Sequence, residues 1–148
     1  VQVYVELAKQ EGGTLLTGGT PCMPSGFEHG NWMAPTVIEG LSPDSHCATE
    51  EIFGPIVTLH SFSSEEEAIA IANNTRYGLA GSVWTGDVQR GKRVSEGIQT
   101  GMVWVNTWLH RDLRVPFGGV KDSGVGREGG KWSLDFFSEA LNVCVKHD

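Results

Sequence analysis

A carboxylate and an aromatic ring stand two residues apart in the segment Thr49-Glu50-Glu51-Ile52-Phe53-Gly54-Pro55. On extended backbone such residues share a face. A carboxylate accepts hydrogen bonds from hydroxyls and a ring stacks on planar systems, so Glu51 and Phe53 suit a ribose with an adjacent heterocycle. Taken alone, the segment reads more commonly as a turn or cap pinned by Gly54-Pro55. A second stretch, Val105 to Gly119, mixes Trp108, Leu109, Arg111 and Phe117 after a strand end, where α/β proteins bind ligands. A third, Gly124-Val-Gly126-Arg-Glu-Gly129, matches the dinucleotide-binding pattern G-x-G-x-x-G, with Asp148 near the place of a ribose-binding acid. That chemistry needs a buried strand running straight into the glycines. Phe117-Gly-Gly-Val-Lys-Asp-Ser123 is not one, so the glycines read as a turning loop.

Other chemistry is thin. Histidines at 29, 46, 60, 110 and 147 show no helical pairing of the kind that holds a metal, and no metal site is expected. His46 and Cys47 are chain neighbours, which seldom form a base and nucleophile pair, and no G-x-S-x-G elbow occurs. Glu65-Glu66-Glu67 is a helix N-terminus favoured by the dipole. The residues offer no complete catalytic set.

The elements that must carry these residues alternate between strand and helix. A helix over Gln2–Gln10, with Val3, Tyr4 and Leu7 on one face, is stopped by Gly12-Gly13 and followed by a strand at Thr14–Thr17. Residues 20–31 form a loop, and Pro35 limits Trp32 to Ile38 to an edge strand. Ile56 to Phe62 is a strand, Ser64 caps a helix through Ala72, Gly81 to Thr85 is a strand, and Asp87 caps a helix to about Gly97. Met102 to Val105 is a strand, a glycine-rich loop spans 116–130, and a short helix lies near Trp132 to Ser138. Leu141 to His147 alternates as a last strand. The class is α/β, with a parallel-type sheet and flanking helices.

Composition narrows the function classes. The 148 residues include 11 basic and 18 acidic side chains, a net charge of −7, which leaves no basic footprint for nucleic acid or anionic membrane. No apolar run approaches the ~20 residues that cross a bilayer. Glycine, 20 of 148 residues, is about twice its usual ~7% share, as expected of close backbone approaches around a ligand. Three widely spaced cysteines argue against a disulfide scaffold and for a reducing, cytoplasmic setting. No signal peptide is visible at the N-terminus, which also lacks an initiator methionine, as expected of a chain cut from something longer.

In order along the chain, Glu11-Gly-Gly-Thr-Leu-Leu-Thr-Gly-Gly19, Met33-Ala-Pro-Thr-Val37, Glu50-Glu-Ile-Phe-Gly-Pro55, Ala72-Asn-Asn-Thr-Arg-Tyr-Gly-Leu-Ala80, Gly101-Met-Val-Trp-Val-Asn106, Pro116-Phe-Gly-Gly-Val-Lys-Asp-Ser-Gly124 and Gly126-Arg-Glu128 resemble the C-terminal portion of the aldehyde dehydrogenase superfamily. The resemblance implies residues 1–140 as the C-terminal part of the catalytic domain and residues 141–148 as an oligomerisation strand pairing with another subunit. It implies that Glu51 holds the nicotinamide-side ribose of NAD or NADP and that Phe53 packs against the nicotinamide. It also implies an aldehyde pocket walled by Trp108, Leu109, Arg111 and Phe117, supported by Asn106 at its strand end. The family's nucleophilic cysteine, general-base glutamate and Rossmann half have no counterpart here, so this chain alone is expected to be inactive and to bind no cofactor tightly. Trp108-Leu-His-Arg111 before Leu-x-x-Pro-Phe-Gly-Gly resembles the muconic semialdehyde branch, the family 8 type. Arg111 is then expected to meet a substrate carboxylate, with pairing to Asp112 or another rim acid as the alternative. A different expectation is a natural non-catalytic form that binds full-length subunits through its last strand.

Overall fold

The computed structural model describes residues 1–147. They form two compact units, Val1–Arg76 and the chain from Tyr77 onward.

The first unit runs α1 (Gln2–Gln10), β1 (Thr14–Thr17), β2 (Thr36–Glu39), α2 (His46–Thr49), β3 (Ile56–Leu59) and α3 (Glu65–Asn73). Helix α1 ends where Gly12 turns left-handed at φ +88°, a conformation that costs glycine nothing. Its buried face carries Val5 and Ala8 rather than Val3, which is exposed; Tyr4 and Leu7 flank that face. The strand order is β1-β2-β3, β1 antiparallel and β3 parallel to β2. The segment expected at an edge is therefore the central strand. It begins only after Pro35, so the missing proline N–H removes no ladder bond. Thr36 and Ile38 point inward, both buried. Ala8, Ile38, Leu41 and Cys47 form the core, packed by Leu15 and Ile56. Strand β3 stops at Leu59, short of the expected Phe62. Helix α3 starts as its cap predicts. Ser64 Oγ accepts from the Glu67 amide at 3.1 Å, while the Glu67 carboxylate accepts from Ser63 N at 2.7 Å.

The second unit runs β4 (Tyr77–Gly78), β5 (Ala80–Val83), α4 (Val88–Gly97), β6 (Met102–Val105), β7 (Val120–Lys121) and α5 (Lys131–Phe137). Strands β5 and β6 are parallel, joined through α4 in a short β-α-β crossover. Asp87 caps α4, accepting from Gln89 N at 2.9 Å and Arg90 N at 3.2 Å; those amides hold its carboxyl below the usual range. Strands β4 and β7 make a separate antiparallel pair. The described strands thus form three small sheets, one of them mixed, and not the single parallel-type sheet expected. Gly101 opens β6 with its Cα so near the Gly118 carbonyl oxygen that a Cβ would sit 1.6 Å from it. No side chain fits that approach, so the glycine sets how closely the 116–119 loop lies on the strand. The two-residue β7 is no buried strand leading into Gly124, and residues 122–130 are turns and loop. Residues 141–147 form no strand within the described chain, and Leu141, Val143 and Val145 are exposed. Asp148 lies outside the described residues.

Candidate active-site surfaces

In the first unit, α2 hands the chain to Glu50-Glu51-Ile52-Phe53, which leads into β3. Glu51 is exposed, and among the described residues none donates to its carboxylate. The Phe53 ring is 88% exposed on a backbone with φ +52°. A bulky residue in the left-handed region is strained by about 1–2 kcal/mol, and an apolar ring left in water gains nothing to offset that. Phe53 thus combines a strained backbone with an exposed ring.

Behind it, the Glu11 carboxylate gathers three donors. Its Oε1 accepts from His46 N at 2.9 Å and from His46 Nδ1 at 2.6 Å, and its Oε2 accepts from Cys47 N at 3.2 Å. The His46 amide above all, helped by the His46 ring and the Cys47 amide, holds the Glu11 carboxyl down at about 2 against the opposing push of burial. The same hydrogen bond and charge, with Glu50 adding, raise the His46 imidazole. His46 thus has an acidic partner that its chain position did not reveal. Cys47 is buried, its Sγ donating to the Tyr4 carbonyl at 3.5 Å, and burial first, then Glu11 and Glu50, push its thiol up to about 11. A carboxylate held near 2 cannot deprotonate a thiol near 11, so Cys47 is an inert core residue. Cys22 and Cys144 are exposed. No cluster able to hold a metal occurs among the described residues.

In the second unit, Asn106 ends β6 with φ +54°. Its side chain forks onto one residue of the neighbouring strand end: Oδ1 accepts from Thr85 N at 2.8 Å and Nδ2 donates to Thr85 O at 2.8 Å. Asn106 is a clamp under the loop. Trp104, buried, donates its indole N–H to the His110 carbonyl at 2.7 Å, and its ring lies 4.9 Å from that of Trp108. Leu109 is exposed with φ +56°, a second bulky residue in a left-handed conformation. The Arg111 guanidinium lies over the Phe117 ring, Cζ 4.1 Å from its centroid, while Nη2 donates to Glu128 Oε1 at 2.8 Å. Asp112, the acid expected to compete, instead pairs with Arg114 through several bonds, and those bonds hold its carboxyl low. The rim acid is thus Glu128. Its backbone exchanges two 2.8 Å hydrogen bonds with Phe117, so ring, guanidinium and carboxylate are held as one assembly. One Arg111 bond to Glu128 leaves further N–H groups of the fork, and 37% of the side chain remains exposed. Beside this assembly an open groove of about 320 Å³ runs between Leu79, Phe117, Val125, Glu128, Phe136 and Phe137; Asn106, Trp108, Leu109 and Arg111 do not line it. Glu128 escaped the residue-by-residue reading: it belongs to Gly126-Arg-Glu128, but nothing in its spacing points to Arg111.

The sequence model of the aldehyde dehydrogenase family matches residues 1–143, and the chain belongs to that family. It is similar to the 2-aminomuconic 6-semialdehyde dehydrogenase of a Pseudomonas species, 55% identical over 146 residues, which are 98% of this chain and 30% of that protein. The 2-hydroxymuconic semialdehyde dehydrogenase of Pseudomonas putida is 51% identical over 147 residues, 99% of this chain and 30% of its own. Among solved structures, the aldehyde dehydrogenase of Mycobacterium tuberculosis complexed with NAD+ superposes with a TM-score of 0.86 at 42% identity, over 93% of this chain and 28% of that one. The chain spans about 30% of the length of the curated relatives it matches. No helix among the described residues is long and apolar enough to cross a membrane.

Proposed function

We propose that this chain supplies the nicotinamide-side contact and the aldehyde-side wall of an NAD(P)-dependent aldehyde dehydrogenase acting on a carboxylate-bearing semialdehyde. The observation that carries the reading is the outward, strained presentation of Phe53 beside the exposed Glu51. A free carboxylate fits a ribose diol, and an open ring fits a nicotinamide face. Bound NAD(P) supplies the acceptor for the aldehyde's hydride. Glu51 would fix the ribose and Phe53 would restrict where the ring can lie.

On the substrate side, Trp108, Leu109 and Phe117 offer apolar surface, and Arg111 has donors left over for one more carboxylate. The names of the two Pseudomonas relatives favour such a substrate, since a muconic semialdehyde keeps one carboxyl beside its aldehyde. The nucleophilic cysteine would belong elsewhere in the full-length enzyme: Cys47 is inert, Cys22 is exposed, and the exposed Cys144 Sγ donates to Asn142 Oδ1. The chain alone is accordingly inactive. The exposed Leu141, Val143 and Val145 would pair with another subunit to build a homo-oligomer.

Exchange of Glu51 for glutamine in the full-length enzyme tests the cofactor reading. Loss of a charge-assisted bond of about 1.5–3 kcal/mol should slow the hydride step by tenfold or more while the adenosine end still binds. Unchanged turnover and unchanged cofactor affinity would sink the ribose role.

A further inference from the structure

The Glu51–Phe53 segment has little of its own to hold it in place. Helix α2 before it has four residues, far below the length that sustains a helix in isolation. Its N-cap residue, Ser45, makes no side-chain cap bond, and Ser45 Oγ is buried without a hydrogen-bond partner. The capping is done from a distance. Glu11, at the end of α1, accepts the amides of His46 and Cys47, the first two residues of α2, and the His46 ring as well. At the other end, Tyr4 Oη donates to Glu50 Oε2 at 2.8 Å, the residue next to Glu51. Thr75 Oγ1 holds the Thr49 carbonyl at 3.1 Å. On the far side, the Pro55 carbonyl accepts from Thr36 N at 2.8 Å, which anchors the chain on central strand β2. Residues 51–54 are strung between these anchors, so the direction of Glu51 and Phe53 depends on where α2 sits.

We propose that Glu11 and Tyr4 are positioning residues for the cofactor: from α1 they grip both ends of α2 and so aim Glu51 and Phe53. The inference rests on the reading of Glu51 and Phe53 as the nicotinamide-side contact. Glu11 and Tyr4 bond to α2 and to Glu50, not to Glu51 or Phe53. Each acts through backbone placement, which is why its effect should appear in cofactor parameters and shrink once Glu51 is gone and only Phe53 is left to aim.

The test uses the full-length enzyme with Glu11→Ala, Tyr4→Phe, Glu51→Ala and the double variants with Glu51→Ala. KM is measured separately for NAD+ and for the aldehyde, together with the melting temperature. Losing a helix cap or a hydrogen bond to a charged group should raise the NAD+ KM about five- to tenfold while leaving the aldehyde KM within about twofold. Glu11→Gln, which keeps acceptor oxygen, should recover part of the loss. Added to Glu51→Ala, neither variant should raise the NAD+ KM by its full single-variant factor. Tyr4→Phe removes a single hydroxyl and keeps the test open if Glu11→Ala does not fold. A lowered melting temperature with unchanged NAD+ KM, equal changes in both KM values, or effects that multiply with Glu51→Ala would overturn the proposal. Unchanged turnover together with an unchanged NAD+ KM in Glu51→Ala alone would instead remove the underlying cofactor reading.

Discussion

Asn106 separates two energies that usually travel together, and a pair of substitutions measures each. Asn106→Ala removes both bonds to Thr85. The residue is exposed, so water replaces them well and each counts at the low end, for about 1 kcal/mol in all. Alanine must also hold φ +54°, which asparagine tolerates and alanine does not, for a further 1–2 kcal/mol or about 2–3 in total. Asn106→Gly loses the same bonds but meets no left-handed penalty, and costs about 0.4–1 kcal/mol through the freer unfolded chain. Glycine should therefore come out more stable than alanine by about 1 kcal/mol, reversing the order seen at ordinary helix or strand positions. Urea denaturation followed by tryptophan fluorescence reads both, with Trp104 two residues away as the reporter; equal m-values certify that only stability changed. If alanine equals or exceeds glycine, the strained end of β6 is not where the energy lies. If both match the parent, the fork onto Thr85 contributes nothing.

The Glu11–His46 pair gives a pH signature. A carboxyl lowered from 4.5 to about 2 contributes stability that is present above about 4.5 and lost as pH falls through about 2. The raised imidazole contributes stability present below about 6.5 and lost as pH rises through its raised value, so the clasp is fully charged between about 4.5 and 6.5. Glu11→Gln should flatten both limbs of a stability-against-pH curve; an unaltered acid limb counts against the assignment. Arg111→Ala in the full-length enzyme should reduce kcat/KM for a carboxylate-bearing semialdehyde by about 1–2 kcal/mol, less than for a fully desolvated charge pair because Glu128 already shares the partly exposed guanidinium. Hexanal should be oxidised as before, and an equal loss on both aldehydes would make Arg111 purely structural. Deleting residues 141–148 should lower the oligomer order by light scattering, and an unchanged mass would end the pairing role of that segment.

Legibility in the sequence followed the range of the interaction. Ser64 and Asp87 cap α3 and α4 through amides two or three residues away, and both helices begin where those caps place them. Helix α1 and strands β1 and β6 are equally local, and they fall where periodicity puts them. Pairing is not local. Pro35 looked like an obstacle to a strand, yet β2 starts one residue later and finds partners on both sides. Four-residue α2 is shorter than any window in which a helical period can show, and its cap lies 35 residues back at Glu11. The site divides in the same way. Residue types and order along the chain single out Glu51, Phe53 and Arg111, whereas Glu128 and the left-handed turns at Phe53 and Leu109 come only with three dimensions.

The loop over residues 107–116 is flanked at both ends by fastenings made by residues outside it. Asn106 grips Thr85 on one side, and Phe117 trades backbone bonds with Glu128 on the other. In between, the Trp104 indole takes hold of a main-chain oxygen at His110, which almost any residue would present. Residues 107–116 therefore behave as a cassette in a fixed frame. If this loop walls the aldehyde side as proposed, exchanging that cassette for one of equal length should change which aldehydes are accepted while β5, β6 and α4 stay as they are. On the proposed reading, a new specificity would need only this one short insert, with the surrounding scaffold kept.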